Sequence, residues 1–99
     1  MTRTLKELAE EIHRTAVEKG FWEGGSRNFL EALMLIVSEA AECCEAYRKQ
    51  QNDKIPDELA DIVIRTLDLA EGNGIDIESA VLKKMEFNRT RPYKHGKIA

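Results

Sequence analysis

The sequence has 99 residues, of which 42% are hydrophobic and 33% charged, with a formal net charge of -3 and only two prolines. That length fits one domain, large enough for a core yet poor in volume relative to surface, and no apolar run approaches the roughly 20 residues of a membrane span. No n-region and h-region pattern marks a signal peptide, so a soluble cytoplasmic protein is expected.

Taken in order, the chain opens on Thr4-x-x-Glu7, a capping box, and reaches Gly20, which suits the position just beyond a helix end. These predict a first helix over about 5–19, with Leu5, Leu8, Ala9, Ile12 and Ala16 as its apolar stripe. Phe21-Trp22-Glu23-Gly24-Gly25-Ser26 reads as a turn carrying two exposed aromatics, and so as a loop with a task. Asn28-x-x-Glu31 opens a second helix over about 29–50, which the polar run Gln50–Lys54 breaks. Pro56 fits the first position of a third helix, ended by Gly72-Asn73-Gly74. Asp76 caps a fourth, with the stripe Ile77, Ala80, Val81 and Met85, fading near Asn88–Arg91 before Pro92. The tail Tyr93–Ala99 holds little that can pack, and is expected to be flexible and partly disordered.

The two central helices are apolar over most of their circumference. On the second, Leu30, Leu33, Met34, Val37, Ala41 and Cys44 make one face, widened by Ile36, Ala40 and Cys43. On the third, Leu59, Ile62, Val63, Thr66, Leu69 and Ala70 do the same, flanked by Ile64 and Leu67. A small four-helix monomer cannot cover stripes that wide. The expectation is a single all-α domain over residues 1–99, an antiparallel four-helix bundle that oligomerises through its central helices as a homodimer or homotetramer. Cys43 and Cys44 are adjacent and diverge on a helix, which favours two small core residues over a disulfide or a zinc site.

Each central helix carries two acids three apart, Glu39/Glu42 and Glu58/Asp61, and each pair can sit on one side of its helix. If the helices pack antiparallel, four carboxylates converge, and such a cluster repels itself unless a cation is present. Hard divalent ions want oxygen ligands, so a metal site follows. The bland alternative is a solvated face: Glu31, Ser38, Glu42 and Glu45 form an ordinary polar stripe, as do Glu58, Asp61, Arg65 and Asp68. Against it, Glu39 is turned towards apolar neighbours, and no basic residue between Glu31 and Tyr47 offsets the acids there.

The net charge conceals an asymmetry. Residues 83–97 hold six Lys and Arg against one acid, a net +5, while the remainder holds nine against seventeen, a net -8. An acidic body with a basic end does not suit a nucleic-acid polymer, but it suits a small polyanion held between a metal ion and cationic side chains. Lys84, Asn88 and Arg91, at i, i+4 and i+7, share one face and could contact phosphates; the alternative is a frayed basic helix end. His13 stands alone near an apolar stripe, as a structural histidine does, and Trp22 can cap the bundle or stack on a base. There is no G-x-S-x-G, no Cys–His pairing and no glycine-rich phosphate loop after a strand, so a hydrolase built here needs a metal-activated water.

Glu39-x-x-Glu42, fifteen residues, Glu58-x-x-Asp61 and then Lys84-x-x-x-Asn88-x-x-Arg91 is an order that resembles the MazG-like all-α nucleotide pyrophosphohydrolases. The likeness covers roughly residues 8–97 and is most specific in the acidic motifs combined with Asn88-Arg89-Thr90-Arg91-Pro92-Tyr93-Lys94-His95-Gly96-Lys97. It implies a Mg²⁺-dependent enzyme, with Mn²⁺ as a substitute, that splits a nucleoside triphosphate to the monophosphate and pyrophosphate. By that likeness Glu39, Glu42, Glu58 and Asp61 ligate the metal, with Glu39 or Glu42 also the general base. Lys84, Asn88 and Arg91 then contact phosphates, and His13 and Trp22 match positions lining the nucleoside pocket of dCTP-hydrolysing relatives. The chain departs from the pattern at Arg65, where those relatives have a tyrosine, which leaves the base preference open. The reading from another class is a non-catalytic helical oligomerisation or adaptor module.

Overall fold

A computed structural model describes residues 2–97; Met1, Ile98 and Ala99, and with the last two the end of the expected flexible tail, lie outside the described residues. Among the described residues there are four α-helices and no strand: α1 (Leu5–Glu18), α2 (Phe29–Arg48), α3 (Ile55–Gly72) and α4 (Ile77–Arg89). Short 3-10 turns at Glu23–Gly25 and Asn52–Lys54 lead into α2 and α3, and a third at Tyr93–Gly96 follows α4.

Local signals set these boundaries. Thr4 and Glu7 close the capping box reciprocally, with Glu7 N–H donating to Thr4 Oγ1 at 3.1 Å and Thr4 N–H to Glu7 Oε1 at 2.8 Å. Asn28 and Asp76 cap α2 and α4 by accepting from Glu31 N–H and Ser79 N–H. At the other ends, α1, α2 and α3 all finish in the paired 6→1 and 5→2 hydrogen bonds that turn a chain out of a helix. The left-handed residue this requires is Gly20 after α1 and Gly74 after α3, but Gln50, at φ 59°, after α2. That turn stops α2 two residues before the end read from sequence. Pro56 falls at the second position of α3, because Ile55 already follows the preceding 3-10 turn into the helix.

The third helix is the hub, packed against α2 on one side and α1 on the other, with α4 touching α1 and α3 more lightly. Its second half is therefore buried all round, and Leu67, Asp68, Leu69 and Ala70 lie in the core with Ala9, Trp22, Ala32 and Ala46. The face that α2 turns inward is Ala32, Leu35, Ile36, Glu39, Cys43 and Ala46. The wider stripe containing Leu30, Met34 and Val37 points outward, at 74%, 62% and 55% exposure, with Cys44 beside it. Cys44 is thus a surface residue of the single chain rather than a core one. Leu82, Met85 and Phe87 of α4 are exposed as well, and no large side chain among the described residues is fully buried. The Cα radius of gyration, 15.7 Å, exceeds the roughly 13 Å of a compact chain of this length.

Candidate active site

The inward face of α2 carries an acid in its middle, and α3 answers with two more. Ligand oxygens of Glu39, Glu58 and Asp61 lie within 4.8 Å of one another, two of the residues half-buried and Asp61 exposed. Glu42, one turn after Glu39, stands at the solvent side of this group. Its carboxyl is pushed above the usual range, first by a hydrogen bond with Glu39, then by the charge of Glu39, by desolvation, and by Glu58 and Asp61. The two i, i+3 pairs thus meet across the α2–α3 contact, which the Glu42 shift registers as mutual repulsion. An all-carboxylate oxygen set at this spacing has the chemistry of a hard divalent-cation site.

One cation already touches the cluster. Arg65, one turn beyond Asp61 on α3, donates through Nε to Glu39 Oε1 at 2.8 Å. The Glu39 side chain is only 12% exposed and that of Arg65 34%, so this ion pair is partly shielded from water. From it a cleft of about 300 Å³ runs towards α1, lined by Glu39, Asp61, Arg65, Ile64, Asp68 and Arg27, with Phe21 and Lys19 at its side.

The cleft's far wall rests on a second acid, of different character. Asp68 is 6% exposed and accepts Trp22 Nε1–H on both carboxylate oxygens at 3.0 Å. It also accepts from His13 Nδ1 at 2.8 Å, which places the imidazole proton on that nitrogen, and Arg27 Nη1 stands 3.6 Å from its other oxygen. The His13 ring meets the Trp22 ring edge-on at 4.8 Å and 82°. The Arg27 guanidinium lies 5.7 Å from the ring centroids of both Trp22 and Phe21. Behind the indole, Gly72 makes the room: a Cβ there would fall 2.2 Å from the Trp22 ring.

The sequence reading is corrected at two points here. Trp22, expected as an exposed loop aromatic, is buried, with its one donor spent on Asp68; Phe21 is the aromatic left open, at 56% exposure. Asp68, read as part of a solvated stripe, is the buried anchor of that wall. A signal for it existed, since it interrupts the apolar run Leu67–Ala70, where a charge needs partners. Arg27 carries no sequence signal, because no local pattern marks a loop residue that folds back onto a helix, whereas Phe21 is exposed as its loop position suggests.

Lys84 and Asn88 lie on α4, whereas Arg91 falls two residues past its end, beyond the Thr90 C-cap, so the three do not share one helical face; none of them lines this cleft. Lys84 Nζ and the Arg91 guanidinium instead flank the Phe87 ring at 4.7 and 5.5 Å, and Arg91 Nη2 donates to the His95 carbonyl at 3.3 Å. The Asn88 side-chain oxygen is buried without a hydrogen-bond partner among the described residues. Glu39 and Asp61 thus line the cleft, and the three basic-segment residues do not.

Residues 27–93 match the family model of the MazG nucleotide pyrophosphohydrolase domain, a span that holds all four clustered acids and Lys84, Asn88 and Arg91. No curated protein and no solved structure matches the chain.

Proposed function

The chain belongs to the MazG nucleotide pyrophosphohydrolase family, and from that premise we propose that it hydrolyses (deoxy)nucleoside triphosphates to the monophosphate and pyrophosphate with Mg²⁺. The observation that carries this reading is the convergence of Glu39, Glu58 and Asp61 within 4.8 Å, with Glu42 pushed up beside them. Such carboxylates fit a hard divalent ion, which when bound neutralises phosphate charge and acidifies a water. Glu39, Glu58 and Asp61 hold it, and Glu42 completes the set at the solvent side. Glu42 or Glu39 accepts the proton of the attacking water. The nucleoside extends along the cleft towards Phe21 and Arg27, over the wall that His13 and Trp22 support.

Lys84, Asn88 and Arg91 bind the phosphates in this reading, and a second copy of the chain supplies them. Two features support a homodimer or homotetramer: the exposed apolar stripe of α2 and the expanded radius of gyration. The whole of residues 1–99 serves as one domain, acting on surplus or non-standard nucleotides of the cytoplasmic pool. The test is pyrophosphate release from a panel of nucleoside triphosphates with Mg²⁺ and with chelator. At least one substrate should yield monophosphate and pyrophosphate in equal amounts, and none with chelator; silence across the whole panel would sink the reading.

A further inference from the structure

Arg65 occupies an awkward place for a residue beside a dication site. Its Nε holds the very carboxylate, Glu39, whose oxygen belongs to the metal-binding triad. The pair is partly shielded, so its attraction is screened less than that of a surface ion pair. A divalent ion entering the cluster has to share Glu39 with this guanidinium or drive it off, and like charges at that range repel. The two terminal nitrogens of Arg65 make no hydrogen bond among the described residues, and the side chain lines the cleft. A released guanidinium fork therefore has somewhere to go, provided an anion arrives with the metal.

Resting on the metal site proposed above, we infer that Arg65 is an internal counter-ion of the acidic cluster. It competes with the bare ion for Glu39 and passes to a phosphate oxygen when metal and triphosphate enter together. Without ligand it offsets part of the repulsion among the four carboxylates. With the bare ion it is an opponent. With metal and triphosphate both present it has a new partner, so the two ligands strengthen one another's binding, and by linkage they do so reciprocally. The site then loads the metal–triphosphate complex in preference to free metal.

The experiment titrates Mn²⁺, followed by its paramagnetic resonance signal, into the full chain with and without a non-hydrolysable α,β-imido triphosphate. Wild type, Arg65→Gln and Arg65→Lys are compared, with circular dichroism reporting the fold of each. In wild type the analogue should tighten Mn²⁺ binding by about tenfold. Arg65→Gln should bind Mn²⁺ alone about tenfold more tightly than wild type and gain little from the analogue. Arg65→Lys, which keeps the charge, should stay near wild type for the ion alone. The inference is overturned if the analogue leaves wild-type Mn²⁺ affinity unchanged, a result independent of any variant, or if Arg65→Gln binds the ion no better. A wild type that binds no Mn²⁺ even with the analogue overturns the metal site itself, and this inference with it.

Discussion

Asp68 lines the same cleft as Glu39 and Asp61, and it carries its negative charge in the opposite way from their cluster. Asp68 is deeply buried and surrounded by donors: the indole of Trp22, the imidazole of His13 and, a little farther off, Arg27. Both of its oxygens are held by side chains of the chain itself, which offsets the cost of burying a polar group. Glu39, Glu42, Glu58 and Asp61 mostly face one another, with one guanidinium among four acids. A cluster left in that condition costs the fold stability, and a cation offsets the cost. The contrast separates an acid held by donors of the chain from acids that mostly repel one another. Substitution should divide the two groups in the same way.

The largest effect should come from the satisfied acid. Asp68→Ala leaves the Trp22 and His13 donors and the Arg27 charge without their shared acceptor, and should destabilise the chain by about 3 kcal/mol. Chemical denaturation followed by circular dichroism measures it; a change below about 1 kcal/mol would mean Asp68 is no anchor.

The wall can be disturbed from behind without touching a charge. Gly72→Ala puts a methyl group into the Trp22 ring position, so the indole must shift and its bond to Asp68 must lengthen. Overpacking of this kind costs about 1–3 kcal/mol, with a change in tryptophan fluorescence as its local signature. An unaltered emission spectrum would show that the indole is not held as described.

A smaller effect, of opposite origin, is expected from pH. The folded chain holds the Glu42 proton more tightly than the unfolded chain does, because of the Glu39 hydrogen bond and then the neighbouring charges. As pH rises from the ordinary carboxylate value through the raised one, the unfolded chain gives up its proton first, so metal-free stability should fall across that window. Glu42 is exposed, so the slope should be slight. Thermal melts in chelator from mildly acidic to neutral pH check it, with Glu42→Gln as the flatter control; equal slopes in both chains would remove the repulsion from the account.

How far the sequence reached follows the range of the interactions. Thr4, Asn28, Asp76 and Gly20 mark helix ends through bonds spanning only a few residues, so all four helices were legible in advance. The pairing of Glu39/Glu42 with Glu58/Asp61 was legible too, because one antiparallel contact between neighbouring helices suffices to bring them together. The facing of α2 was not. It has two apolar sides, and periodicity cannot say which of them meets α3 and which, with Leu30 and Met34, meets solvent. Nor was Trp22, whose burial depends on Asp68 and Gly72 far along the chain. The phosphate-binding role of Lys84, Asn88 and Arg91 came from their spacing, their basic segment and the family resemblance, and none of the three lines the cleft that holds Glu39 and Asp61.

The central claim is that the four carboxylates are there for a metal and a triphosphate rather than for the fold. Glu42→Gln tests it most directly, since it keeps the side chain's shape and removes its charge. Pyrophosphate release under saturating Mg²⁺ and metal-free thermal stability should be measured together on this variant and on wild type. The account predicts that hydrolysis is lost while the melting temperature is unchanged or slightly higher, because one of several mutually repelling acids has gone. Full hydrolytic activity in Glu42→Gln, with the fold intact, would contradict it.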